Sequence, residues 1–387
     1  MHECIASMQV IKEDTIDGAV ERILEELKED DATGTARSST SSGRRNVIYF
    51  DGWDGLGASA VLRAVGRRLT APPAGAGLEF SQVIHLDCSK WESRRATQRA
   101  LAKQLKLPAS VMAMLDARDE EEDYQGVDKA SRAETPQVAG AICQHIQKLN
   151  RRFLVIFLNG SSEEIDLDSL GFPLSGYLGN KVLWSFQGRF RLYPRTKVDR
   201  ALMSTRTTTE VVLSAVSPHN NLSQILEQEA AEVASEINTG GVRWSEAATN
   251  CFLHTLKLSD MGSRLVDYDL ATHGCNYWKC DGIIELEEQG DVGTNEDADR
   301  LWQSCDALQR EMRMDVDFYQ NPYLPSALAK GLPERAYWTS PTYGFMLTPR
   351  RIPKGTFQHL DKLCVLKLSG CMFSLVSPPF LCCHNLS

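Results

Sequence analysis

The 387-residue chain lacks any apolar run long enough to cross a bilayer, and its first residues, with Glu3, Glu13 and Asp14, form no basic-then-apolar leader. An intracellular, cytoplasmic protein is expected. Positive charge is also short: 42 Lys and Arg stand against 51 Asp and Glu, a net charge of −9. That balance argues against a nucleic-acid partner, which calls for a basic face. Cysteine is present, but cysteine order is not. The 11 cysteines follow neither a disulfide framework nor a zinc spacing. Cys275 and Cys280 near His273, and the Cys382-Cys383-His384 run, are read as core or boundary thiols, with no metal expected. A hydrophobic content of 42% with 24% charged residues is that of a soluble globular protein, long enough for two or three domains.

The most informative absence is a single lysine. Gly52-Trp-Asp-Gly-Leu-Gly-Ala-Ser59 has the glycine spacing of a phosphate-cradling P-loop, yet Ala58 stands where such loops carry Lys. The context supports the motif. Asn46-Val-Ile-Tyr-Phe50 reads as a buried strand, and apolar residues at helical spacing follow from Ala58 to Leu69. In that order the loop and first helical turn aim backbone N–H groups at phosphate oxygens. The expected nucleotide site is therefore the backbone of Gly52, Gly55, Leu56, Gly57, Ala58, Ser59 and Ala60, with ADP or ATP as ligand. Ser59 keeps the hydroxyl that holds magnesium in such loops. Arg63 and Lys90 lie too far along the chain to be assigned as substitutes for the missing Lys. The bland alternative is a strand-to-helix turn that needs Gly only for packing. Trp53 has two readings as well: stacking on an adenine, or packing on the neighbouring strand.

A second chemical group is missing further on. Arg152-Phe-Leu-Val-Ile-Phe-Leu158 is the most apolar run in the chain and reads as a central strand buried on both faces. P-loop proteins end that strand in an Asp that supports magnesium; here it ends in Asn159. Asp166 and Asp168 could replace it only if the following loop folded back. With Lys and Asp both absent, weak nucleotide binding and negligible hydrolysis are expected, with no catalytic residue.

The remaining pattern alternates strands and helices from Asn46 onward, favouring an α/β parallel sheet. Asp14 and Thr15 are expected to cap a helix to about Glu29, whose stripe of Ile16, Ala19, Val20, Ile23, Leu24 and Leu27 buries against the body of the protein or a partner helix. Gln82–Leu86 reads as a strand, 93–105 as a helix, and 116–134 as a mobile acidic surface insertion. Thr135-Pro136 opens a helix to Leu149. Lys181–Phe186 and 208–213 read as strands, with a basic stretch between them. Its Arg189 is a candidate γ-phosphate sensor, or part of a solvated basic loop. Residues 217–255 read as helical, broken at Gly240-Gly241.

This order resembles the NB-ARC nucleotide-binding module of plant intracellular immune receptors in divergent form. The resemblance rests on Phe50–Ser59 for the P-loop and Phe153–Leu158 for the Walker B strand. Lys181–Phe186 stands at the sensor strand, and Asn276-Tyr-Trp-Lys-Cys-Asp-Gly-Ile-Ile284 is similar to the helix end that opens the family's winged helix. Phe357–Cys371 follows the leucine-rich repeat pattern, with Leu360, Leu363, Val365, Leu366 and Leu368 as its apolar ladder. The resemblance implies an ADP/ATP switch in defence signalling that acts through protein partners. Ala58 and Asn159 fall where that cycle uses Lys and Asp, and the family's Met-His-Asp motif has no counterpart.

The implied organisation is an N-terminal helix and linker (1–45), a P-loop NB-ARC-like domain (46–216), a helical and winged-helix-like region (217–320), and a linker with an incomplete repeat (321–387). A gene product truncated within the repeats is expected. Three functional readings follow: a non-hydrolysing nucleotide-binding module, an ATPase with relocated catalytic groups, and an inert scaffold or decoy that binds no nucleotide.

Overall fold

In the computed structural model the described residues are 7–32, 47–53, 55–70, 80–88, 93–149, 152–159, 167–172, 181–186, 211–218, 222–237, 244–261 and 295–312, with short stretches at 274–275, 278, 283–284, 337–339, 350–351, 365–367 and 371–372. The chain divides into two compact units near Asn221.

The first unit is built on six strands: β1 (Ser7–Ile11), β2 (Val47–Phe50), β3 (Gln82–Asp87), β4 (Phe153–Asn159), β5 (Lys181–Phe186) and β6 (Val211–Ala215). They form one sheet in the order β1-β6-β2-β5-β4-β3, and every pairing is parallel. All four residues of β2 are buried, as are Phe153 to Leu158 of β4. This is the pattern of a parallel sheet covered on both faces, and it explains why these strands read as continuous apolar runs. The α/β parallel-sheet class read from the sequence is the class observed.

Helices α1 (Ile16–Ala32) and α2 (Ala58–Thr70) pack on one another, and α2 lies over β3, β4 and β5. The six stripe residues of α1 are all buried, so its apolar face is covered by the body of the protein. Thr15 Oγ1 accepts from Gly18 N at 3.0 Å and caps the helix. Outside the apolar contact, Arg68 of α2 reaches Glu21 of α1 at 2.7 Å.

The sequence reading began the sheet at Asn46, but the structure adds β1 at its edge, in register with β6 from Ser7↔Val211 to Ile11↔Ala215. The strand alternates over only Ser7-Met8-Gln9-Val10, and against burial: its apolar Met8 and Val10 are exposed, at 59% and 55%, while Ile11 is buried. At the opposite edge, a side chain does the work of a missing strand. The Gln104 amide, at the end of α3 (Arg94–Gln104), accepts from His85 N at 2.9 Å and donates to His85 O at 2.5 Å. These bonds occupy part of the open ladder of β3.

The expected acidic insertion is corrected. Residues 109–124 form helix α4 (Ala109–Tyr124), followed by a 3₁₀ turn at Lys129–Ser131 and helix α5 (Pro136–Leu149). The acidic run is ordered because its carboxylates face arginines. Arg95 Nη1 and Nη2 bond Glu122 at 2.6 and 2.9 Å, and Arg99 reaches Asp116 and Asp119 at 2.5 and 2.7 Å. Arg132 adds ion pairs to Asp119 and Asp123. Buried Gln98 fixes the start of α5 by accepting from Thr135 N at 2.9 Å and donating to Thr135 O at 3.2 Å.

In the second unit, α6 (Leu222–Glu236) packs on α7 (Trp244–Met261), and α8 (Asn295–Met312) also meets α6. Leu222, Ile225, Leu226, Ala230, Val233 and Ile237 are buried, as their spacing implied. Trp278 is fully buried and its carbonyl accepts from Ile283 N at 2.8 Å, which makes it a core anchor. Cys275 is a buried thiol whose Sγ–H donates to Gln309 Oε1 at 2.7 Å. Burial, and then the neighbouring Cys305 and Cys275, push the Cys251 thiol well up from its ordinary value. Most of the stretch expected to be winged-helix-like, with His273 and Cys280, lies outside the described residues. Within 321–387, expected to hold a linker and an incomplete repeat, β7 (Tyr337–Thr339) pairs in parallel with β9 (Val365–Lys367), and β8 (Arg350–Arg351) with β10 (Cys371–Met372).

Candidate phosphate-binding loop

The sheet topology selects one crevice. The chain leaves β2 through α2 toward the β3 edge, whereas it leaves β5 toward β6 on the other side. Adjacent strands whose connections diverge open a crevice at their carboxyl ends, where α/β proteins place ligands. Gly52 to Ser59 occupies the end of β2 at that crevice.

The loop curls because three glycines take left-handed conformations: Gly52, Gly55 and Gly57 have φ of 67°, 95° and 77°. Alternation of such residues with right-handed ones turns successive N–H groups into a concave, anion-accepting nest. At Gly52 there is no room for a side chain, since a Cβ would lie 2.2 Å from Leu56 O and 2.9 Å from Ala58 N. The loop is also cross-braced from within: Trp53 N donates to Leu56 O at 2.9 Å, and Leu56 N to Trp53 O at 3.0 Å. Leu56 thus gives its amide to the loop itself. Helix α2 starts at Ala58, and its first intrahelical bond runs from Val61 N to Gly57 O at 3.0 Å. The amides of Ala58, Ser59 and Ala60 precede that bond and have no acceptor within the helix.

Trp53 does not present its ring as a stacking platform. It is 2% exposed, lies edge-on to Phe50 at 6.4 Å, and donates Nε1–H to Glu13 O at 2.7 Å, in the β1–α1 connection. The packing alternative for Trp53 is the one observed.

The charges around the loop are mostly negative or already paired. Ala58 is 1% exposed, and its methyl lies where a Cβ on Gly52 would meet it at 3.2 Å. Arg63, one helical turn beyond Ser59, holds Asp87 at the end of β3 at 2.6 Å. The nearest cation on α2 is therefore directed to a carboxylate at the sheet end, which agrees with assigning it no Lys role. Asp51, 3% exposed at the base of the loop, accepts from Tyr49 Oη at 2.9 Å. Asn159 is the last residue of β4, one strand removed from β2, in register with Phe186.

Asp168 is the exposed residue of a turn whose Leu167, Leu170 and Phe172 are buried, with Phe172 packed on Phe153, the residue of β4 farthest from Asn159. Arg189 and Asp166 lie outside the described residues. The structure thus gathers Gly52, Gly55, Leu56, Gly57, Ala58, Ser59 and Ala60 into one loop and helix start. Sequence reading missed Asp51, the Arg63–Asp87 pair and the Glu13–Trp53 bond. The first two carried only a weak signal, a carboxylate directly after each of two apolar strands. The third had none. Among the described residues, no group of His, Cys, Asp and Glu could hold a metal ion.

The class defined by these elements is a mixed α/β protein with an all-parallel six-stranded sheet and a glycine loop at its crevice. The chain matches no known protein-family model and no curated protein.

Proposed function

We propose that this protein is a non-hydrolysing, nucleotide-holding module of the NB-ARC type, acting in plant defence signalling through contacts with other proteins in the cytoplasm. The observation that carries the reading is the glycine loop: three left-handed glycines at the crevice end of β2, leading directly into the amides that open α2. Those amides and the helix dipole favour the phosphates of ADP or ATP. The repeat-like C-terminal part rests on the apolar ladder of Phe357–Cys371. Among the described residues no helix is long and apolar enough to cross a membrane.

Loss of the Lys removes a charge-assisted contact of about 2 to 4 kcal/mol. Binding that would be micromolar then falls toward millimolar. Isothermal titration with ADP and ATP tests the reading: weak binding indifferent to magnesium is expected, and absence of heat at high protein concentration rejects it.

A scaffold that binds no nucleotide is the second reading, favoured by the internal Trp53–Leu56 bracing and by the buried Asp51 carboxylate, which opposes an anion. Nucleotide co-purifying with the folded protein excludes it. An ATPase with relocated groups requires phosphate release that disappears in Ser59→Ala.

A further inference from the structure

The best-organised cluster of charges in the first unit lies away from the glycine loop. A pocket of about 360 Å³ opens between α3, α4 and the turn at Lys129–Ser131, and five cations line it: Arg95, Arg99, Lys103, Lys129 and Arg132. Two carboxylates, Asp119 and Asp123, line it with them. The three arginines are paired with Asp116, Asp119, Glu122 and Asp123, so the pocket's uncompensated cations are its two lysines.

Four of the cations fall into two sets, and the fifth, Arg99, is 23% exposed and paired with Asp116 and Asp119. Arg95 and Arg132 are buried, with side chains 4% and 7% exposed, and are locked in place by Glu122, Asp119 and Asp123. Lys103 and Lys129 line the same pocket and are exposed, with no ion pair among the described residues. A guanidinium fixed by carboxylates is pre-oriented, so it loses little freedom on meeting a ligand. One donor is left over: Arg132 Nε is buried without a hydrogen-bond partner, with Glu122 Oε2 3.9 Å away. A buried N–H without an acceptor is costly, and the facing Glu122 carboxylate offsets part of that cost through charge, so Arg132 belongs to the frame that holds the floor.

We propose that this pocket binds the phosphate group of a small phosphorylated metabolite, a phosphate monoester, independently of the glycine loop. A monoester brings a near-double negative charge and three acceptor oxygens, which suit an arginine floor with a lysine rim. The volume is at the lower end of small-ligand sites and leaves room beyond the phosphate for a compact organic group. Lys103 and Lys129 supply attraction at the mouth, and the arginines supply orientation.

The test uses the full chain and two probes, inorganic pyrophosphate and glucose 6-phosphate, titrated calorimetrically at low salt. Lys103→Glu/Lys129→Glu changes only exposed rim residues, and Ser59→Ala changes the glycine loop. Thermal unfolding confirms that both variants fold. Binding of glucose 6-phosphate that weakens at least ~tenfold in the lysine variant and is unchanged in Ser59→Ala supports the site. No glucose 6-phosphate binding at about 10 mM ligand overturns it. So does binding that persists in the lysine variant or is lost in Ser59→Ala. Pyrophosphate binding sensitive only to Ser59→Ala would instead report on the glycine loop.

Discussion

Arg95 of α3 and Glu122 of α4 meet side by side, Nη1 to Oε2 at 2.6 Å and Nη2 to Oε1 at 2.9 Å, with both side chains nearly withdrawn from water. This two-point contact holds Glu122 below the usual carboxylate range and raises Arg95 further above its ordinary value. A pair of this kind is costly to break from one side, because the remaining charge stays buried without its partner. Glu122→Ala is expected to destabilise the first unit by about 3 to 5 kcal/mol. The double replacement Arg95→Met/Glu122→Leu should recover much of that loss. Urea unfolding of the three proteins checks both statements, and equal destabilisation by single and double variants would refute the argument.

Acidification should weaken the fold in two stages. Loss of water around its ring, and then the Arg63 charge, push His85 below the ordinary histidine value of 6.5. Its Cε1 lies where a Cβ on Gly66 of α2 would meet it at 2.2 Å. The unfolded state then binds more protons over that window, so stability falls as pH drops below the ordinary histidine value. The carboxylates act lower. Arg95 holds Glu122 down, and for Asp119 the bonds from Arg95 and Arg99 outweigh the upward push of burial. Their contribution is present above the ordinary carboxylate value and is lost as pH falls through it to the folded values. His85→Gln should remove the upper stage and leave the lower one. Identical pH profiles for the variant and the natural protein would rule out the His85 part.

These charged contacts also mark where the sequence was legible and where it was not. Strands β2, β4 and β5 could be read because burial on both faces leaves an uninterrupted apolar run. The α1 stripe could be read because helical period is written into side-chain spacing. The acidic stretch of α4 could not, because its order comes from α3: Arg95 and Arg99, one turn apart, stand opposite Asp116, Asp119 and Glu122. Composition reports charge, and only pairing reports whether that charge is buried. β1 was hidden for another reason, since its alternation spans only Ser7 to Val10 and its apolar Met8 and Val10 are the exposed positions. In the candidate site the glycine spacing was legible, but not the Trp53 bond to Glu13, forty residues away.

Gln104 stands in for a strand at the β3 edge by bonding both His85 N and His85 O. Gln104→Ala leaves those groups to water or to another chain. The expected stability loss is about 1 kcal/mol, with faster amide exchange at His85 and a greater tendency to self-associate. Hydrogen exchange and light scattering measure the two effects. Unchanged exchange at His85 would mean that the edge is protected by something else.

The loop at the crevice depends on backbone that only glycine can supply at position 52. In Gly52→Ala the new methyl meets Leu56 O and the Ala58 amide, both main-chain atoms that cannot rotate away, at a φ of 67°. A loss of at least about 2 kcal/mol is expected by thermal or urea unfolding. Trp53→Phe removes the bond to Glu13 O and leaves a void where the indole was packed, and should cost about 2 kcal/mol or more. If Gly52→Ala unfolds like the natural protein, the strain argument for Gly52 fails.

The most direct examination of the cradle is to restore what it lacks. Ala58 opens α2 with its methyl against Gly52, and Ser59 follows with its hydroxyl retained. If the amides around this corner still form a phosphate nest, Ala58→Lys adds one cation where the β and γ phosphates would lie. Affinity for ATP should rise by a factor of about 30 to 1,000, the equivalent of 2 to 4 kcal/mol. Adding Asn159→Asp should introduce magnesium dependence, because a carboxylate at the end of β4 is the group that supports the metal in P-loop proteins. Calorimetric titration with and without magnesium reads both steps. A folded Ala58→Lys variant with no gain in affinity would show that the internal Trp53–Leu56 bracing and the buried Asp51 have closed the cradle to anions, which is the scaffold reading.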